Sequence, residues 1–102
     1  MTLIASLFAL CAHAQQWDGA VTGKVTNIDV TSAENYGFRV YLEGKTMCNS
    51  GPSWAYLNAS DGNYKAYVAL FMLARSMDKQ MLVYTTKEQS GYCKIGYASM
   101  QP

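Results

Sequence analysis

The stretch from Asn63 to Asp78, NYKAYVALFMLARSMD, constrains the fold more than any other part of the chain. Tyr64, Ala66, Tyr67, Val68, Ala69, Leu70, Phe71, Met72, Leu73, Ala74 and Met77 make it apolar on nearly every side, and only Lys65, Arg75 and Asp78 are charged. A helix on the surface of a small domain shows one apolar stripe, so a helix of this kind requires cover on two sides. The i, i+3, i+4, i+7 spacing of Tyr67, Leu70, Phe71 and Ala74 predicts the face that packs on the domain's own sheet. Tyr64, Val68 and Met72, with Met77, are left for a neighbour, so a homo-oligomer is expected with those residues at its interface. The segment is too short to span a bilayer and is interrupted by charge, which argues against a membrane span.

The chain has 102 residues and a net charge of +1, which sets a single globular domain. Near-neutral charge offers no electrostatic footprint for nucleic acid or for an anionic membrane. Residues 1–14, MTLIASLFALCAHA, form an apolar run ending in Ala12-His13-Ala14, which fits the core and cleavage site of a secretory signal. The usual basic n-region is missing, and a lipoprotein site at Cys11 is disfavoured because Leu10 stands where such sites want a small residue. A mature domain over 15–102, secreted or periplasmic, is the expectation. Cleavage removes Cys11 and the single histidine, His13, and leaves Cys48 and Cys93. An even pair of cysteines in an exported chain reads as a disulfide.

Ala20 to Val30 reads as a strand with a fault in it. Val21, Gly23 and Val25 share one face while Ile28 and Val30 fall on the other parity, and a bulge near Thr26-Asn27 would reconcile them. Tyr36 to Glu43 alternates most clearly, Ser53 to Asn58 is a short aromatic strand, and Ser60-Asp61-Gly62-Asn63 supplies cap residues for the helix. Met81 to Thr86 and Tyr92 to Met100 are the last strands, with Cys93, Ile95, Tyr97 and Ser99 expected on one face. The fold class is therefore mainly β with one central helix, in the order βββαββ. That is the order of an OB-like five-stranded Greek-key barrel with the helix plugging one end.

Without a histidine in the mature chain, imidazole-based general-base and serine–histidine schemes are excluded. Asp18 and Glu43 form a distant candidate pair for glycoside hydrolysis, but no motif supports it. Two cysteines without histidine furnish no zinc set, and no phosphate or calcium loop is present. No metal, no cofactor and no catalytic residues are expected. A binding module is the reading, and a glycan suits its aromatics, threonines, asparagines and dispersed charges better than single-stranded nucleic acid does.

Asp18-Gly19-Ala20-Val21-Thr22-Gly23, then Tyr41-Leu42-Glu43-Gly44-Lys45, then Cys48, Trp54, Tyr64 and Ala69, then Val83-Tyr84 carry a resemblance. In order and approximate spacing they resemble the B subunit of subtilase cytotoxin, over most of the mature chain. The resemblance implies an OB fold with an internal disulfide. It also implies a ring pentamer whose helices line a central pore, and binding of sialylated glycans beside a separate enzymatic A subunit. The family's site aspartate matches Asp18, its serine falls on Thr22, and the polar residue after the Glu-Gly-Lys turn falls on Thr46. Its site tyrosine falls on Thr85, with Tyr84 adjacent. The alternative is a stand-alone structural or protein-interaction component of the bacterial envelope with the same fold and no glycan binding.

Overall fold

A computed structural model describes residues 17–102. The expected signal peptide, with Cys11 and His13, lies outside the described residues. Five strands and one helix follow in the order β1 (Gly19–Val30), β2 (Phe38–Leu42), β3 (Trp54–Leu57), α1 (Tyr64–Met77), β4 (Gln80–Lys87) and β5 (Cys93–Met100). The strands form one sheet that closes on itself in the order β1-β2-β3-β5-β4. All neighbours are antiparallel except β3 and β5, which pair in parallel through Ala55 with Cys93 and Tyr56 with Lys94.

β1 belongs to two ladders because it bends. Its first half, Gly19 to Lys24, pairs with β4, and its second half, from Val25, pairs with β2. The register shifts between Val25 and Asn27, so the fault expected near Thr26-Asn27 is a bulge. It brings Ile28 back against the core beside buried Val25, while Val30 remains 64% exposed at the strand's end.

A second bulge was not expected. Tyr84 pairs with Tyr97 but Thr85 pairs with Ile95, so Gly96 has no partner across the ladder. Residue parity along β5 reverses there. Cys93 and Ile95 point inward, Ala98 and Met100 pack against the core, and Tyr97 and Ser99 turn outward, not inward as the alternation predicted.

The core gathers Val25, Phe38, Val40, Leu42, Ala55, Leu57, Met81, Val83 and Ile95 from the strands, with Phe71 and Ala74 from the helix. Tyr36, placed in β2 by its alternation, instead precedes it with a positive φ of 59°, a conformation costly for a bulky residue. Its N–H donates to the Asn58 side-chain oxygen at 2.8 Å, and its carbonyl accepts from Arg39 Nε at 3.0 Å.

At the start of α1, Asn63 is left-handed and makes no side-chain cap bond. Asp61, expected as a cap, uses its carboxylate otherwise: it accepts from the Asn58 N–H at 2.8 Å and pairs with Lys94 at 2.7 Å. At the other end Asp78 takes the left-handed position that glycine usually fills. The Lys79 N–H returns to the Ala74 carbonyl at 2.9 Å, and the Asp78 carboxylate meets Lys24 at 3.0 Å.

Tyr64 and Val68, expected to face a neighbour, pack against the chain's own core together with Tyr67 and Leu70. Met72 and Met77, expected on that face, do stand open at 47% and 50% exposure, and Leu73, not expected there, joins them at 47%. The expected disulfide, Cys48–Cys93, is formed, with the two Cα atoms 5.9 Å apart.

Candidate functional site

β1, β4 and β5 lie side by side, and residue parity decides what they present to solvent. Val21, Gly23 and Val25 of β1, with Met81, Val83 and Thr85 of β4, occupy the inward parity. Asp18, Ala20 and Thr22 therefore share the outward side with Leu82, Tyr84 and Thr86. The register sets Ala20 beside Tyr84 and Tyr84 beside Tyr97, and it sets Thr22 beside Leu82 and Leu82 beside Ser99.

Aromatic rings run across this face. Tyr84 lies between Trp17, with ring centroids 5.6 Å apart, and Tyr97, at 4.8 Å. Trp17 rests on Gly96, where a side chain would collide with the indole ring. Such rings offer flat apolar surface with a polar edge, a combination suited to ligands that are themselves amphipathic.

Asp18 is fixed at the head of the row. Its N–H donates to the Thr85 carbonyl at 2.9 Å, and its Oδ2 accepts from the Lys87 N–H at 2.6 Å. Thr22 is exposed two ladder steps along, on the same side. The sequence-derived candidates divide at Tyr84 and Thr85. Thr85 is fully buried, and its hydroxyl accepts from the Cys48 N–H at 3.1 Å, tying the loop before β3 to β4. It offers nothing to a ligand, whereas Tyr84 points outward. Thr46 is exposed on the loop between β2 and β3.

Trp17 and Tyr97 are the site residues that sequence reasoning missed. Gly96 was the available signal, since a glycine inside a strand marks a bulge or a close approach.

A second aromatic group covers the outside of β2 and β3. Tyr36 meets Tyr56 at 4.6 Å and Tyr92 at 5.1 Å, and Trp54 meets Tyr92 at 4.8 Å. The Arg39 guanidinium lies 4.5 Å from the Trp54 ring centre. These rings are occupied by one another and by the arginine, and they bury Tyr56 to 2% exposure. Burial foremost, then the negative charge of Glu88, pushes the Tyr56 phenol up to about 12. This group reads as packing, and the open row on β4 and β5 as the candidate face.

Among the described residues, no group of three or more histidine, cysteine, aspartate or glutamate side chains is gathered to hold a metal ion. No described helix is long and apolar enough to cross a membrane. The class defined here is a small, disulfide-linked, mainly β domain with one helix and an aromatic outer face. No protein-family model, no characterised protein and no solved structure matches the chain.

Proposed function

We propose that the protein is an exported, non-catalytic module of OB type that binds a glycan on the outer face of β1, β4 and β5. The observation carrying this reading is the shared outward placement of Asp18, Thr22 and Tyr84, with Trp17 and Tyr97 extending the row of rings. A sugar ring stacks its C–H face on an aromatic side chain while hydroxyls around its rim take hydrogen bonds. Asp18 supplies a charged acceptor, and Thr22 and the Tyr84 phenol supply hydroxyls. The strand order, with its single parallel seam between β3 and β5, supports the OB-like Greek-key barrel.

Assembly belongs to the same proposal. Met72, Leu73 and Met77 give α1 an open apolar side, which copies of the chain would cover by packing helix to helix around an axis, as in a ring. A partner subunit or envelope protein would meet such an assembly on surfaces away from the sugar face.

The test is a glycan array with the wild-type protein and with Asp18→Asn, which keeps an oxygen acceptor for the Lys87 N–H. Binding by the wild type, weakened about tenfold or more in the variant, is expected from the loss of a charge-assisted hydrogen bond worth about 1.5–3 kcal/mol. Array binding left unchanged by the substitution places the sugar elsewhere, and a blank array with one stoichiometric protein co-purifying favours the envelope reading.

A further inference from the structure

We infer that the binding face continues along β5 into a groove for an uncharged oligosaccharide of more than one ring, with subsites on either side of Gly96; this rests on the glycan reading above. Two clefts meet at that glycine. One, of about 270 Å³, is bounded by Trp17, Thr86, Glu88 and Lys94. The other, of about 240 Å³, lies between α1 and β5 and is bounded by Ala66, Tyr67, Leu70, Tyr97 and Ala98, with Asn63 at its end. Each alone falls below the roughly 300–1,000 Å³ of ordinary small-molecule sites, so neither by itself holds more than a small group. An elongated ligand is the occupant that uses both.

The junction depends on the bulge. Gly96 has no partner in the ladder and lines both clefts, and the space a side chain would fill there is taken by the Trp17 ring. The indole thus stands at the meeting point, next to Tyr84, and Tyr97 continues the aromatic surface toward the helix.

The chemistry of the walls selects the ligand class. At the Trp17 end the lining holds Glu88 and Lys94, and because the Lys94 ammonium is already paired with Asp61 at 2.7 Å, Glu88 leaves this end net negative. That charge disfavours an anionic sugar, and a neutral polyol fits by donating its hydroxyls to Glu88 and Thr86. At the helix end Ala66, Leu70 and Ala98 form an apolar pocket fitted to a methyl-bearing substituent, such as the acetamido group of an amino sugar.

The test is calorimetric titration of the mature chain with N-acetylglucosamine and its β1–4-linked di- and trisaccharides. Affinity is expected to rise tenfold or more from the monosaccharide to the trisaccharide. Ala66→Trp, at an exposed helix position, is expected to fill the helix-side cleft and erase that gain. Glu88→Ala, on an exposed loop, is expected to weaken the trisaccharide several-fold, and it keeps the test open should the tryptophan variant fold poorly. Affinity independent of chain length, or unaltered by both substitutions, overturns the groove. Absence of binding to this series while the array reports other glycans overturns the ligand class and leaves the glycan reading standing. A blank array ends both.

Discussion

Tyr56 shows how a single side chain ties this fold to pH. Its phenol is pushed from the ordinary 10.0 up to about 12, so the native chain holds that proton where the unfolded chain has released it. The contribution is fully present below about pH 10 and is lost as pH rises through about 12, with about 2–3 kcal/mol at stake. Tyr67, raised by burial and then by Asp61, adds in the same direction. Denaturant midpoints measured across this window are expected to fall steeply for the wild type and less steeply for Tyr56→Phe; equal slopes would contradict the assignment. Gly96 is the other decisive residue. Gly96→Ala is expected to displace Trp17, shift its fluorescence toward that of solvated indole and weaken glycan binding. An unchanged spectrum would mean the indole tolerates the methyl group. At this scale Asp18 and Thr22 were named through the resemblance and not through strand parity; the β1–β4 register then places Thr22 on the outward side of β1, and Asp18, just ahead of that strand, on the same side. The sequence did not separate Tyr84 from Thr85, since adjacent residues of a strand differ only in which side they face, and the pairing partners decide that.

Among the elements, α1 divides its surface between the core and solvent. Phe71 and Ala74 are fully buried, while Met72 and Leu73 between them stand open. Phe71→Ala is expected to cost about 3–5 kcal/mol through the cavity it leaves, read as a lowered unfolding midpoint. Met72→Asp leaves the core untouched and is expected to yield a folded monomer by light scattering, with the wild type expected at the mass of an assembly. An assembly of unaltered mass would clear that face of the role. The helix itself was legible because its apolar density admits few alternatives, and its outward side was legible in part, at Met72 and Met77 but not at Tyr64 and Val68. Tyr64 and Val68 have long or branched side chains that reach the core from the flanks of the buried stripe. β5 was misread for a local reason. Its period of two holds on each side of Gly96 but not across it, and only the ladder with β4 reveals the missing step.

For the whole molecule, the disulfide and the parallel seam belong together. Cys93 pairs with Ala55 in the β3–β5 ladder and bonds covalently to Cys48, closing a sequence separation of 45. In the chain-entropy treatment a loop of that length contributes about 4 kcal/mol. A Cys48→Ala/Cys93→Ala chain is expected to lose that much by denaturant unfolding. The order of elements was readable from alternation and turn residues. Closure was expected only by analogy of that order with a known barrel, because the β3–β5 contact that makes it joins distant strands with no local signature. That contact is brief, two register pairs between Ala55–Tyr56 and Cys93–Lys94, against seven between β4 and β5. A cylinder sewn along so short a line has a preferred place to open. Amide hydrogens on either side of it are expected to exchange ahead of those in the long ladders once the sulfur bridge is reduced, and oxidation then acts as the clasp that separates a furled sheet from a locked one.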